Sequence, residues 1–214
     1  MPDSVLPSHT TAATTGGIGA APREPNVPSA WPGSYVPNLS DWEPGDLILM
    51  EGVGVSGVVI QTGQAISGRA MALASGWSHA AVYVGSGMVV DATLTAGIQQ
   101  QSLWNYVQHR AITVRRLQAS VAAASPAGTS IAIAASRHVG KPYSLMQAVL
   151  GKLGWPASLV PDPNALYCST FVGLVIAQAT SVVLWSDPAF QPLFPGSIAA
   201  HPDLEKVQLH WRNI

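Results

Sequence analysis

The chain has 214 residues, ten basic and eleven acidic side chains, and only 10% charged residues, well below the usual share of about 25%. Without a basic run there is no electrostatic footprint for nucleic acid or for an anionic membrane surface. A single cysteine excludes an internal disulfide, and the sequence has no closely spaced His or Cys pair for a metal and no phosphate-binding glycine loop, so we expect no metal and no cofactor.

Residues 1–40 are rich in Pro, Ser, Thr, Gly and Ala and show no hydrophobic period. This composition predicts a flexible tail, followed by one domain over residues 41–214. The tail is a candidate docking segment for a partner protein, and an end without a role is the alternative. It lacks the features of a signal peptide, so we expect a cytoplasmic protein by default, or an effector exported by a route that reads no such signal.

The rest of the chain shows a mixed pattern of strands and helices. Strands are predicted over residues 46–50, 79–84, 88–92, 111–117 and, at an edge, 207–211. Helices are predicted over residues 61–74, 102–109, 125–139, 143–153 and 167–180. None reaches the apolar length of about 20 residues that spans a bilayer. The pattern is typical of an α+β fold with an antiparallel sheet packed against helices.

Cys168 is the only cysteine, and it lies where the last predicted helix begins. A free cysteine has a pKa of about 8.5, so its nucleophilic thiolate is scarce at neutral pH unless the surroundings favour it. Unpaired N–H groups in the first turn of a helix that Asp162 or Asn164 caps would favour the anion. The alternative is a small apolar residue packed in a helix.

His79 and Asp91 lie on two strands that we predict to form a hairpin. A three-residue loop over residues 85–87 places Asp91 opposite Ala81 and on the same face as His79. The backbone positions of His79 and Asp91 are then roughly 7–8 Å apart. A two-residue turn would shift the register by one and send Asp91 to the other face. The alternatives are a buried structural histidine and an aspartate that caps a turn.

The order of these features over residues 44–179 resembles the circularly permuted NlpC-type papain-like cysteine hydrolases, which include the YiiX-like proteins and the lecithin:retinol acyltransferase group. Four motifs carry the resemblance: Pro44-Gly45-Asp46-Leu47-Ile48, Ser78-His79-Ala80-Ala81-Val82-Tyr83-Val84-Gly85, Gly140-Lys141-Pro142-Tyr143-Ser144 and Tyr167-Cys168-Ser169. The histidine precedes the cysteine, as the permuted branch implies. Thr170 stands where YiiX-like members usually have Glu, and Asp91 where relatives often have Glu or His.

The resemblance implies a permuted papain-like fold and nucleophilic acyl chemistry through a thioester. Cys168 would attack the acyl carbon, His79 would move the proton, and Asp91 would orient the ring by accepting its Nδ1–H. The backbone N–H of Cys168 is the natural oxyanion donor. Tyr83, on the same face as His79, and Tyr167, next to the nucleophile, are the candidates for further oxyanion or substrate contacts.

Apolar stretches at residues 53–60, 70–74 and 145–150 favour a lipid or fatty-acyl ester or amide as substrate, although core packing also explains them. A phospholipase-like hydrolase and an acyltransferase both remain open at this point. The alternatives are a peptidoglycan peptide amidase and a non-enzymatic module that binds an acyl ligand or a partner.

Overall fold

The structure, a computed structural model, describes residues 35–51, 76–93, 96–107, 111–121, 127–141, 167–184, 186 and 193–213. Eight strands are found: β1 (Tyr35–Pro37), β2 (Leu47–Glu51), β3 (Trp77–Gly85), β4 (Met88–Thr93), β5 (Gly97–Ser102), β6 (Ile112–Leu117), β7 (Leu204–Lys206) and β8 (Trp211–Asn213). The α-helices are α1 (Trp104–Val107), α2 (Ala127–Ser136), α3 (Tyr167–Thr180) and α4 (Pro195–Ala200), and a short 3-10 helix spans Leu39–Asp41. This arrangement confirms the α+β prediction.

The main sheet has six strands in the order β5-β4-β3-β2-β6-β7, and all neighbours are antiparallel. Alternate residues of its central strands enter two different cores, because successive side chains of a strand point to opposite faces. Ala80 and Val82 pack against the helices, whereas Ala81 and Tyr83 belong to a second core that also contains Trp42. Because both faces are covered, the central strands are apolar almost throughout.

The hairpin between β3 and β4 reaches the predicted register by an unexpected route. Gly85 pairs with Met88 across a two-residue turn, and Ser86 and Gly87 both have positive φ, +53° and +71°, as a type I′ turn requires. A bulge at Val84 then restores the pairing that a three-residue loop would give, so that Val82 lies opposite Val90. The predicted loop length is therefore wrong, and the predicted shared face of His79 and Asp91 is right.

Helix α3 runs through the interior, with every residue from Cys168 to Ile176 buried. A helix that is apolar on all sides is stable only inside a core, and here α2, β3 and β4 surround it. The hydroxyl of Ser169 donates to the carbonyl of Leu193 at 2.6 Å. This bond fixes the first turn of α3 against the segment that precedes α4.

Several predicted elements differ from the structure in position. Residues 35–40, predicted as tail, contain β1, which pairs with β8, so the folded region begins before residue 41. The predicted helix over residues 102–109 is shorter, and the undetected strand β5 precedes it. The predicted edge strand over residues 207–211 is wrong except at its last residue, because β7 ends at Lys206 and β8 begins at Trp211. The predicted helices 61–74 and 143–153, the three apolar stretches and residues 1–34 lie outside the described residues.

Asp46, 1% exposed, forms a two-pronged ion pair with Arg116, in which Nε contacts Oδ1 at 2.7 Å and Nη2 contacts Oδ2 at 2.9 Å. The pair ties the start of β2 to β6. Burial raises the pKa of Asp46, although the hydrogen bonds and charge of Arg116 act against the rise. The fold therefore binds this proton more readily than the unfolded chain does, and it loses stability as the pH rises and the carboxyl ionises.

Arg116→Leu is expected to lower the free energy of unfolding by about 3 kcal/mol at pH 8, because it leaves a buried carboxylate without its cation. At pH 5 we expect a smaller loss, since a proton then replaces the missing charge more easily. Urea unfolding at both pH values measures this difference. Asp46→Asn in the Arg116→Leu background should recover part of the loss at pH 8. A double variant as unstable as Arg116→Leu alone would contradict the account.

Among the residues that the structure describes, none of the helices has the length and apolar character that a bilayer crossing needs.

Candidate active site

Cys168 is the second residue of α3, and its side chain is 4% exposed. The first N–H groups of a helix have no acceptor within the helix, and the dipole at this end favours a negative charge. The thiol therefore lies where a thiolate is electrostatically favoured. The predicted start of this helix is confirmed, whereas Asp162 and Asn164, the predicted capping residues, lie outside the described residues.

His79 lies on β3 between the thiol and Asp91. Its Nε2–H donates to Oδ2 of Asp91 at 2.8 Å, and its side chain is also hydrogen-bonded to Cys168. Because Asp91 occupies Nε2, Nδ1 is the ring nitrogen left for the thiol. The sequence-based assignment of Nδ1 to the carboxylate is thus reversed. The His79 side chain is 17% exposed and that of Asp91 is 0% exposed.

The protonation of His79 follows from these neighbours. Burial favours the neutral ring, but the negative charge of Cys168, the hydrogen bonds to Asp91 and Cys168 and the charge of Asp91 outweigh it, and they raise the pKa of His79 to about 10. The ring is therefore an imidazolium at neutral pH. It faces the sulfur with a proton that it can give to a leaving group.

Asp91 accepts three hydrogen bonds from side chains. Its Oδ1 accepts from Nε2 of Gln101 at 3.0 Å. Its Oδ2 accepts from His79 and from the hydroxyl of Tyr106. Gln101 lies on β5 and Tyr106 on α1, so four separate elements of the fold converge on this carboxylate and on the ring that it holds.

Comparison with known proteins supports the chemistry that this geometry suggests. A model of the family described as permuted papain-like amidase enzyme, YaeF/YiiX, C92 family, matches residues 42–195. The chain belongs to this family. It is therefore a papain-like, cysteine-type hydrolase, and the resemblance drawn from its motifs is confirmed.

The fold of this member of the permuted papain-like family is similar to a crystal structure described as metalloprotein YiiX from Escherichia coli O157:H7. The TM-score is 0.52 at 18% sequence identity, and the match covers 79% of this chain and 98% of that chain. At this identity the likeness shows the fold alone. None of the curated proteins matches this chain significantly.

In this member of the amidase family, the structure brings together Cys168, His79 and Asp91 but not Tyr83. Tyr83 lies four residues along β3 from His79, about 13 Å at the rise of a strand. Its hydroxyl accepts the N–H of Gly87 at 3.3 Å, and its ring packs edge-on against Trp42 with centroids 5.5 Å apart. The assignment of Tyr83 as an oxyanion donor is not supported by this position, because the hairpin turn occupies it.

Tyr167 is the first residue of α3, but its side chain lies outside the described residues. Its predicted contact with substrate stays a prediction.

Sequence reasoning missed Gln101 and Tyr106. The run Gln99-Gln100-Gln101 has no apolar alternation, so β5 gives no strand signal. The predicted helix over residues 102–109 contains Tyr106, but without β5 beside it nothing in the sequence directs this residue toward Asp91. A pairing of residues 97–102 with β4 would have placed Gln101 on the face of Asp91, since Asp91 lies opposite Gln99.

Proposed function

We propose that this protein hydrolyses an amide bond through a thioester formed on Cys168, with His79 as the proton carrier and Asp91 as its orienting carboxylate. The observation that carries the proposal is the continuous hydrogen-bonded line from the thiol through the ring to a carboxylate that is wholly buried. A buried ion of this kind is costly to a fold unless it is paired. Its position behind a histidine is the arrangement that acyl transfer by a cysteine needs.

In the first half of the reaction, the Cys168 thiolate attacks the carbonyl carbon and forms a carbon–sulfur bond. The electron pair of the carbonyl moves to its oxygen, where the backbone N–H of Cys168 is placed to donate to the oxyanion. The carbon–nitrogen bond then breaks as the Nδ1–H of His79 protonates the leaving nitrogen. An amine departs, and a thioester and a neutral imidazole remain.

In the second half, Nδ1 of His79 takes a proton from water as the water oxygen attacks the thioester carbon. The carbon–sulfur bond breaks, a carboxylic acid departs, and the thiolate and imidazolium are restored. Throughout both halves, Asp91 keeps the Nε2–H in place, so that the same edge of the ring faces the sulfur. An added amine in place of water would give acyl transfer by the same route.

The amidase family favours an amide over an ester, and the acyl group remains the open part of the proposal. The lipid preference rests on apolar stretches outside the described residues and stays a prediction. A groove of about 450 Å³ lined by residues such as Pro44, Val84 and Ile133 is present on the described surface. Val84, in its lining, lies five residues along β3 from His79, about 16 Å at the rise of a strand.

YiiX is described as a metalloprotein, but the described residues of this chain do not fit a metal site. No group of three or more His, Cys, Asp or Glu side chains in this part could hold an ion. The oxygens of Asp91 already accept from His79, Gln101 and Tyr106. We therefore assign no step to a metal.

The test is to incubate the protein with three substrate classes: N-acyl amides of increasing chain length, peptidoglycan stem peptides and mixed phospholipid vesicles. Mass spectrometry would follow released amine, released acid and the mass of the Cys168 peptide. Release with an acyl adduct on Cys168 supports the proposal, and the substrate class that reacts names the acyl group. Release without a Cys168 adduct, and unchanged in Cys168→Ala, would overturn it.

A further inference from the structure

The carboxylate behind His79 is held by a small closed network. The hydroxyl of Tyr106 donates to Oδ2 of Asp91 and lies in contact with Nε2 of Gln101, which also donates to Oδ1 of Asp91. A tyrosine hydroxyl has one proton and two lone pairs, and an amide nitrogen has two protons. The hydroxyl of Tyr106 and the amide nitrogen of Gln101 can therefore each contact Asp91 and the other group at the same time. The oxygen of Gln101 in turn accepts from Asn105 at 3.4 Å.

The ring of Tyr106 also covers the bond between His79 and Asp91. Its centroid lies 5.4 Å from that of the His79 ring, and the two planes are tilted by 33°. Tyr106 is 9% exposed. Its ring therefore keeps water from the polar pair, while its hydroxyl binds one member of it.

Such a network matters because Asp91 is 0% exposed. A buried carboxylate without hydrogen bonds favours its protonated form. In that form it would no longer accept the Nε2–H fully or stabilise the imidazolium. Among the described residues, His79 is the donor to Asp91 that can carry a positive charge, and Gln101 and Tyr106 are neutral donors that add hydrogen bonds without a second charge.

Resting on the proposed reaction of Cys168, His79 and Asp91, we propose that Tyr106 and Gln101 are positioning residues whose hydrogen bonds hold the Asp91 carboxylate in place behind His79. Both side chains contact the carboxylate, and in this proposal they act through it. The titratable groups that face Asp91 from the packed elements described are His79 and Tyr106, with Cys168 behind the ring. A substitution at Tyr106 or Gln101 should therefore change the pH at which the Cys168–His79 pair takes up or loses a proton.

Two variants separate this role from simple packing. Tyr106→Phe keeps the ring that covers His79 and removes only the hydroxyl. Gln101→Glu keeps the shape of the side chain and replaces a donor by a second carboxylate next to Asp91. Gln100→Glu is the matched control, because Gln100 is the exposed neighbour on the opposite face of β5 and receives the same added charge.

The readout is the rate at which iodoacetamide alkylates Cys168 as a function of pH, with thermal unfolding as a check on the fold. We expect Tyr106→Phe to move the acid limb of the profile upward by about one pH unit, because a hydrogen bond to a charged group is lost. Gln101→Glu is expected to move the acid limb to still higher pH, and Gln100→Glu is expected to leave it at its wild-type pH. With an amide substrate, Tyr106→Phe should lower kcat about tenfold and leave KM unchanged.

The outcomes distinguish a failure of the positioning role from a failure of the proposed reaction. If Tyr106→Phe and Gln101→Glu keep the wild-type profile while His79→Asn loses fast alkylation at pH 6, the positioning role is wrong and the proposed reaction stands. If His79→Asn also keeps the wild-type profile, the proposed reaction itself is wrong. If one variant fails to fold, the other still decides, since each removes a different donor from the same carboxylate.

Discussion

Cys168→Ala is expected to lower kcat/KM for amide hydrolysis by about 10⁴-fold or more, because no other group in the proposed mechanism forms the bond to the acyl carbon. The substitution removes only a sulfur atom from a buried position in α3, so the fold should survive with a small loss of stability. Steady-state kinetics with the best substrate from the three classes measures the effect, and circular dichroism checks the fold.

Cys168→Ser is the matched control for shape, since it keeps a small side chain with one heteroatom at the same place. A hydroxyl is a far weaker nucleophile than a thiolate next to an imidazolium, so we expect this variant to be nearly as inactive as Cys168→Ala. Hydrolysis by Cys168→Ala at more than about a hundredth of the wild-type rate would show that another group attacks the substrate.

Gly45→Ala is expected to lower the free energy of unfolding by about 4 kcal/mol, the largest loss that we expect from a single methyl group in this fold. Gly45 has a φ of +96°, and a Cβ there would lie 2.2 Å from the carbonyl oxygen of Gly128 in α2. The positive φ costs about 1–2 kcal/mol for a residue with a side chain. The clash adds about 1–3 kcal/mol because the atom that must move belongs to a helix backbone.

Two matched glycines separate the two causes. Gly140 has a φ of +80° and open space around its Cβ position, so Gly140→Ala tests the backbone strain alone. Gly128 is not among the glycines with positive φ, but a Cβ there would lie 2.5 Å from the carbonyl oxygen of Pro44, so Gly128→Ala tests the close approach alone. Urea unfolding should rank Gly45→Ala as the most damaging of the three. A Gly45→Ala protein as stable as Gly140→Ala would show that α2 yields easily.

These contacts explain why the motif at residues 44–48 could be recognised before the structure. Gly45 allows the backbone of α2 to approach, Asp46 pairs with Arg116, and Leu47 and Ile48 enter the two different cores. Each position is thus restricted for its own reason: a close backbone approach, an ion pair or burial in a core. The sequence shows the residues, but Gly128 and Arg116, the partners of Gly45 and Asp46, lie 70 or more residues away and follow only from the fold.

The hairpin shows how a correct inference can rest on a wrong detail. Two strand-like apolar runs joined by Gly85-Ser86-Gly87 predicted the hairpin, and the face shared by His79 and Asp91 is correct. The bulge at Val84 has no local sequence signal, and it changes which residues pair across a two-residue turn.

Tyr106 and Gln101 illustrate the opposite case. Local propensity disfavours a strand that contains three successive glutamines, and β5 forms through its pairing with β4 and the burial of Ile98. The sequence alone therefore does not point to Gln101 and Tyr106 as donors to Asp91. Cys168 and His79, in contrast, could be predicted from their residue type and order in the chain.

The most direct test of the account is the pH dependence of Cys168 alkylation by iodoacetamide in the wild-type protein and in His79→Asn. An adjacent imidazolium favours a thiolate over a thiol, so we expect the wild-type rate to be nearly constant from about pH 6 to 9. The wild-type rate should change only as His79 loses its proton, and the pKa of His79 is raised to about 10. In His79→Asn the rate should instead rise about tenfold per pH unit up to the ordinary thiol pKa of about 8.5. A wild-type profile that rises in that same way would contradict the thiolate–imidazolium pair on which the proposed function depends.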